Sequence, residues 1–206
     1  MQQDLTRGLQ TSSVLQSLLD SALHRALELT GTTLGNLQLM DWRGNSLSIA
    51  AQRGFNDKFL SFFRRVSPTS GSACARAILQ GRAIIIKDVL ADDEFTPYRT
   101  IALEAGFRSV QSTPLISSGG AFVGVLSTHF SKPHQPTAVD MRAIAAIAGV
   151  TANAIIRRRP MGMGADPSAK DFEERHEQAS EQIKRARQAV ERSNELLRRI
   201  GQKFCH

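Results

Sequence analysis

Residues 106–130, GFRSVQSTPLISSGGAFVGVLSTHF, contain two apolar segments that flank a Ser-Ser-Gly-Gly turn. Glycine accepts the positive φ angles of tight turns, so residues 110–116 and 121–130 are predicted to pair as an antiparallel hairpin. The hairpin also carries several polar side chains, which are Gln111, Ser112, Thr113, Ser127, Thr128 and His129. Because burial of polar groups without partners is costly, we expect water, neighbouring loops or a ligand to satisfy them.

Periodicity on either side of the hairpin predicts alternating helices and strands. An amphipathic helix is expected over residues 5–29, a first hairpin over 36–42 and 46–52, and a short helix over 57–65. Ser70 or Ser72 is expected to cap the next helix, which Gly81 ends. A strand over 83–89, a loop and helix over 92–105, and a long amphipathic helix over 137–159 complete the predicted order.

The length of 206 residues suits one domain of about 150 residues with an appendage. We therefore predict one folded domain at residues 1–159, a Pro/Gly-containing hinge at 160–169 and a C-terminal helix at 170–206. The helix carries a seven-residue repeat in two series, His176, Ile183, Val190, Leu197, Phe204 and Phe172, Ala179, Ala186, Ser193, Ile200. This repeat predicts a coiled coil that pairs with a second copy or another helix; docking on its own domain is the alternative.

Composition narrows the class of protein. The hydrophobic content of 41% is typical of a soluble protein, no uninterrupted apolar run approaches about 18 residues, and the N-terminus does not resemble a secretory signal. We expect a cytoplasmic location and no membrane contact. The two cysteines, Cys74 and Cys205, are too few for a disulfide framework or a cysteine-rich zinc site.

The formal net charge of +7 raises the possibility of a nucleic-acid partner. The basic residues, however, concentrate at 157–159 and along the C-terminal helix, where glutamates are interspersed with them. Mixed charges on a long helix favour a solvated face over a phosphate-binding surface.

Five short motifs occur in a characteristic order, and they are GSAC (71–74), IKDV (86–89), EAGFRS (104–109), QSTPL (111–115) and GVLSTHF (124–130). With the order of elements, they make residues 10–158 resemble a GAF domain of the kind found N-terminal to bacterial histidine kinases. The resemblance implies an α+β fold with α/β/α layers. It implies a five-stranded antiparallel sheet with the first and last helices on one face and a ligand pocket on the other.

The resemblance also implies which side chains line the pocket, namely Phe63, Gly71, Ser72, Cys74, Asp88, Phe95, Tyr98, Phe107, Ser109, Gln111 and Thr128. Such a set combines apolar walls with a few orienting polar groups. A helix N-terminus near Cys74 would stabilise a thiolate and make it a redox sensor, but a small buried hydrophobe is the favoured interpretation. For Asp88, capping of a loop is favoured over ligand contact.

Cofactor and enzyme hypotheses find little support in the sequence. His129 and His134 belong to no Cys/His cluster, so haem and metal are disfavoured. Residues 100–105, where related domains carry the Cys-His pair that attaches bilins, have no cysteine, and Cys205-His206 lies far away. Related methionine sulfoxide reductases use clustered cysteines, whereas this domain has Cys74 alone.

We therefore predict a cytoplasmic sensor that is not itself an enzyme, that binds an unidentified small ligand or responds to redox state, and that dimerises through its terminal helices. A histidine kinase or response regulator is the expected output or partner. The alternatives are a ligand-free dimerisation module, a nucleic-acid-binding regulator and a thiol enzyme.

Overall fold

The computed structural model describes residues 2–41 and 45–158, and of residues 2–12 it describes the backbone alone. The predicted hinge, the predicted coiled coil and Cys205 lie outside this part of the chain. The helices are α1 (Gln2–Thr30), α2 (Asp57–Phe62), α3 (Ala73–Gln80), a 3₁₀ helix (Asp93–Tyr98), α4 (Arg99–Glu104) and α5 (Ala138–Arg158). The strands are β1 (Leu34–Asp41), β2 (Ser46–Arg53), β3 (Ile84–Ile86), β4 (Ser109–Ile116) and β5 (Phe122–Phe130).

The strands form one antiparallel sheet in the order β2-β1-β5-β4-β3. The predicted hairpin supplies β4 and β5, with Gly120 at a φ of 82° in the turn and the Ser117 N–H donating to the Ala121 carbonyl at 2.9 Å. The hairpin lies inside the sheet, since β5 pairs with β1 and β4 pairs with β3. The predicted fold class is therefore confirmed.

Both faces of the sheet are covered, which the alternating direction of side chains along a strand makes possible. On one face, α1 and α5 pack on the sheet through an apolar cluster that includes Leu23, Leu37, Leu115, Leu126 and Ile144. On the other face, the short helices and loops between β2 and β4 pack through a second cluster that includes Phe59, Ile78, Phe95, Phe107 and Val110. The helix layer and the short-helix layer thus meet opposite sides of β4 and β5.

Helix α5 is more apolar than its contacts within the chain require. It has 21 residues, and an 18-residue window within it has a mean hydropathy of 1.5, so by length and composition it could cross a membrane, although no uninterrupted apolar run reaches that length. Ile144, Ala148 and Ile155 are buried in the apolar cluster beneath α1 and α5. In contrast, Val139 and Val150 are 64% and 67% exposed.

Candidate functional site

A small cavity of about 30 Å³ lies between the sheet and the short-helix layer. From the strands come Asn36, Gln38, Val110, Ser112, Ser127 and His129. From the covering layer come Phe59, Phe63, Ser72, Ala73, Cys74, Phe95 and Phe107. A cavity of this size accommodates water or a ligand of about two or three heavy atoms without rearrangement.

Helix α3 forms part of the cover because its start is fixed by a side-chain cap. The Ser72 hydroxyl accepts a hydrogen bond from the Ala75 N–H at 3.4 Å, and Gly81 ends the helix in the left-handed conformation at a φ of 58°. Both features agree with the sequence prediction. The cap also holds Ser72 Oγ 3.2 Å from Cys74 Sγ, so the thiol lies at the cavity beside a hydroxyl.

The strand register places three polar side chains in one row across the floor of the cavity. Asn36 pairs with Ser127, and Ser127 pairs with Ser112. The two serine hydroxyls lie 2.8 Å apart and hydrogen-bond to each other. Asn36 is only 3% exposed, and its Oδ1 atom has no hydrogen-bond partner among the described residues.

His129 lies on the same face, enclosed by aromatic rings. Its ring centroid is 4.6 Å from that of Phe107 and 4.9 Å from that of Phe55, both edge-on, and Phe59 lies 6.0 Å away. The residue is 5% exposed, and Nδ1 has no hydrogen-bond partner within the described part of the chain. His134, in contrast, stacks on Phe130 at 3.9 Å, so the two imidazoles have different surroundings.

Both titratable side chains at the cavity are held in their neutral forms. Burial lowers the pKa of His129 to about 3. Burial also raises the pKa of Cys74, outweighing the opposing hydrogen bonds from Ser72 and from the backbone N–H groups of Cys74 and Ala75. The helix N-terminus therefore does not produce a thiolate here.

Five of the predicted site residues line this cavity, and they are Phe63, Ser72, Cys74, Phe95 and Phe107. Gly71 and Tyr98 instead shape the loop that precedes α3. Gly71 has a φ of 75°, which favours glycine, and the Tyr98 hydroxyl donates to the Ser70 carbonyl.

Asp88 and Ser109 hold the backbone around β3 and do not line the cavity. Asp88 accepts two hydrogen bonds from Arg108, at 3.1 and 2.7 Å, and one from the Leu90 N–H at 3.0 Å. The hydrogen bond from Arg108 is the main cause that lowers the pKa of Asp88. Ser109 donates to the Ile86 carbonyl at 2.8 Å. The loop-capping role favoured for Asp88 is thus present.

Gln111 and Thr128 lie on the opposite face of the sheet from the cavity, which corrects their predicted placement. They are cross-strand partners, and each lies one residue away from the cavity-lining pair Ser112 and Ser127. Since strand side chains alternate with a period of two, a shift of one residue transfers a side chain to the other face. Gln111 Nε2 donates to Thr113 Oγ1 at 3.3 Å on the side that α1 and α5 cover.

Sequence reasoning missed several of the lining residues, and they are Asn36, Gln38, Phe59, Ala73, Val110, Ser112, Ser127 and His129. A signal for some of them was available, because Ser112, Ser127 and His129 belong to the polar set of the central hairpin. Their alternate spacing, at 127 and 129 and opposite 112, would have grouped them on one face once the hairpin register was known.

A larger, open groove of about 590 Å³ lies between α1, β2 and α2. Its sides include Gln16, Asp20 and Arg64, and the Gln16 side chain donates to the Ala50 carbonyl at 3.1 Å. Gln16 and Arg64 are exposed, so the groove does not share the buried, unpartnered polar atoms that distinguish the cavity beneath the short helices.

The order of elements, the covered antiparallel sheet and the cavity beneath short helices define a class of sensor and regulatory domains. A family model described as GAF domain matches residues 12–156, and the chain belongs to this family. It is thus a GAF sensor or regulatory domain as found in signalling proteins. No curated protein matches the sequence.

Solved structures share the fold at low sequence identity. A domain assigned to a two-component sensor histidine kinase from Sinorhizobium meliloti has 17% identity and a TM-score of 0.57, over 69% of this chain and 91% of that one. The GAF domain of a phosphoenolpyruvate-protein phosphotransferase from Coxiella burnetii has 18% identity and a TM-score of 0.60, over 72% and 86%. Free methionine-R-sulfoxide reductase from Neisseria meningitidis has 21% identity and a TM-score of 0.54, over 84% and 87%. The fold therefore occurs in both signalling proteins and an enzyme.

Proposed function

We propose that this chain is a cytoplasmic sensor module in which occupancy of the cavity beneath the short helices changes how α1 and α5 pair with those of a second copy. The supporting observation is that β4 and β5 contribute side chains both to the cavity and to the surface on which α1 and α5 pack. Ser112, Ser127 and His129 face the cavity, whereas Leu115 and Leu126 of the same strands pack beneath α1 and α5. A ligand that displaces the cavity floor therefore acts on strands that support the helices.

The exposed apolar side chains of the two helices support pairing with a second copy. Val14 of α1 is half exposed, and Val139 and Val150 of α5 are exposed to a greater degree. The seven-residue repeat predicted for residues 170–206 follows α5 and the predicted hinge at 160–169, so pairing of α5 would bring two such repeats near each other. A histidine kinase or another signalling partner would then receive the change in helix packing.

Coupling of this kind depends on differential affinity. A ligand shifts the helix arrangement only to the extent that it binds one arrangement more tightly than the other. The prediction is that a compound that perturbs cavity resonances also changes the self-association of the protein.

Two measurements test this proposal. Sedimentation of Val150→Asp, with the equally drastic Leu103→Asp on the short-helix side as the control, should show weakened self-association for V150D alone. An NMR screen of metabolites should find compounds that shift the amide signals of Ser127 and His129 together with those of Ala148 and Thr151 on α5. The proposal would be contradicted if V150D and L103D self-associated as strongly as the unmodified protein does. It would also be contradicted if every compound shifted only the amide signals of cavity residues.

A thiol-based reductase is the second candidate, because Cys74 lies at the cavity and a structural neighbour is a free methionine-R-sulfoxide reductase. Against it, burial keeps the thiol protonated, and Cys74 is the only free cysteine in the described residues. We therefore propose that Cys74 is a packing group. Turnover of methionine sulfoxide that is lost in Cys74→Ser would favour the enzyme instead.

A further inference from the structure

We infer that the ligand of the cavity beneath the short helices is a small uncharged molecule with an N–H or O–H donor, and that Asn36 and His129 recognise it. This inference rests on the proposed function, because it specifies the chemical class that the sensor cavity accepts. It is drawn from the polar atoms that the cavity leaves unpaired, from the absence of charge in its walls and from its size.

Two side chains on the cavity floor, Asn36 and His129, each carry an unpartnered polar atom. Asn36 pairs with Ser127 and Leu34 with His129, so Asn36 and His129 are diagonal neighbours on one face of the sheet. Both side chains are more than nine-tenths buried, and neither Asn36 Oδ1 nor His129 Nδ1 has a partner among the described residues. Asn36 Oδ1 is an acceptor only, so a ligand that pairs with it must donate a hydrogen bond.

The neighbouring serines do not compete for these atoms. Ser112 and Ser127 hydrogen-bond to each other at 2.8 Å, and the Ser72 hydroxyl is engaged with Ala75, Ser70 and Cys74. Among the described residues that line the cavity, the buried side-chain atoms without a hydrogen-bond partner are Asn36 Oδ1 and His129 Nδ1.

The walls offer no counter-charge to an ionic ligand. Among the described residues that line the cavity, none is Asp, Glu, Lys or Arg. Arg76 of α3 pairs with Asp92 at 3.0 Å through Nη1, whereas its buried Nε and Nη2 atoms have no hydrogen-bond partner among the described residues, and Arg108 pairs with Asp88 at 2.7 Å. Neither arginine lines the cavity. An ion of either sign would be buried without a partner, which is strongly unfavourable.

The pKa shifts of the two titratable groups at the cavity agree with its uncharged lining. The acid, Cys74, has its pKa raised, and the base, His129, has its pKa lowered. A positive local potential would lower both values, and a negative one would raise both. Opposite shifts toward the neutral forms indicate desolvation as the dominant cause, and desolvation also disfavours a charged ligand.

Size restricts the ligand further. The volume of about 30 Å³ accepts a few heavy atoms while Phe59 and Phe107 remain against His129. A larger ligand would exceed this volume unless the covering side chains moved. The smallest suitable probe is thus an amide or alcohol of about three heavy atoms.

Formamide and formate form a matched pair of probes, since they have the same number of heavy atoms and differ in charge. We expect formamide, titrated into the full ¹⁵N-labelled chain, to cause saturable shifts of the Asn36, Ser127 and His129 amide signals. We expect formate at the same concentration and pH to cause none at these positions. This comparison uses the unmodified protein and so does not depend on a variant that folds.

A variant pair then tests the recognition residue. Asn36→Leu should weaken formamide binding by about tenfold or more, because the acceptor is removed. The control, Gln111→Leu, removes an equally buried amide with an unpartnered oxygen from the opposite face and should leave binding within about twofold.

The outcomes separate this inference from the proposed function. Formate that binds the cavity as tightly as formamide, or formamide binding unchanged in N36L, overturns the inference and leaves a working sensor cavity. Absence of cavity shifts with both probes also overturns it. The proposed function fails separately, if no screened compound couples the cavity to α5 and V150D associates normally.

Discussion

Asn153 of α5 accepts two hydrogen bonds from Ser118, one from its backbone N–H at 2.9 Å and one from its hydroxyl at 3.0 Å. Ser118 lies in the turn between β4 and β5, so a single side chain joins the tip of the central hairpin to the helix proposed to transmit the signal. The same hairpin contributes Ser112, Ser127 and His129 to the cavity. The contact therefore lies between the two parts of the molecule that the proposed mechanism couples.

Asn153→Ala should release the hairpin tip from α5. We expect hydrogen exchange at the Ser118 amide to accelerate and unfolding stability to fall by about 1 kcal/mol, the usual net contribution of such bonds. Alanine favours helix more than asparagine does, which offsets part of the loss, so exchange is the more direct measurement. Ser118→Ala is the control, since it removes the hydroxyl bond and keeps the backbone bond. If the amide of residue 118 exchanged equally slowly in both variants, the contact between Asn153 and Ser118 would not be what holds the turn.

His129 should make folding stability depend on pH. Its pKa is about 3 in the folded chain and about 6.5 when unfolded, so between these values the unfolded chain binds a proton that the folded chain does not. The stabilisation is complete above pH 6.5 and is lost as the pH falls toward 3. We expect about 2 kcal/mol of loss between pH 8 and pH 5, measured by urea unfolding.

His129→Leu provides the comparison for that experiment. Between pH 8 and pH 5, the free energy of unfolding should fall by about 2 kcal/mol less in H129L than in the unmodified protein. The other histidines remain in both proteins, so the difference isolates His129. Asp88 and Asp140 have lowered pKa values and also lose stabilisation in acid, but mainly below this range. Identical pH profiles for the two proteins would show that His129 is accessible to protons in the folded state.

Cys74 should react slowly with alkylating agents. Its thiol is buried and its pKa is raised, and the thiolate is the reactive species. In a Cys205→Ser background, we expect iodoacetamide to modify native Cys74 at least about tenfold more slowly than the urea-unfolded chain at the same pH. A native rate that equals or exceeds the unfolded one would revive the hypothesis of a redox-active thiol.

Two glycines should respond to alanine substitution in opposite ways. A Cβ at Gly124 would lie 2.1 Å from the Gln38 carbonyl oxygen, where β5 passes close to β1, so Gly124→Ala should destabilise by about 3 kcal/mol or more. A Cβ at Gly149 meets no atom within 4 Å, and the residue lies within α5. Gly149→Ala should therefore stabilise by about 0.5–1 kcal/mol. Thermal unfolding of the two variants distinguishes these outcomes. Similar changes in the unfolding temperature of both variants would contradict the close packing of β5 against β1.

Residues whose role depends on local geometry could be predicted from the sequence. Ser72 caps α3, Gly81 ends it, and the turn before Gly120 closes the hairpin, because each depends on backbone conformation within a few residues. The ordered motifs likewise indicated the family and hence the fold. Asp88 was expected to cap its loop, and it does so through the Leu90 N–H.

The amino-acid sequence by itself determined the elements, their order and the presence of an unusually polar central hairpin. Only the tertiary structure decided which of those polar side chains meet at the cavity, because β4 and β5 are covered on both faces and almost all of their residues are buried. In a strand with one solvent-exposed face, alternating polarity reveals which side chains face the core, whereas a strand buried on both faces gives no such signal. Ser112 and Ser127 could therefore not be distinguished from Gln111 and Thr128 until the sheet, α5 and the short helices were in place.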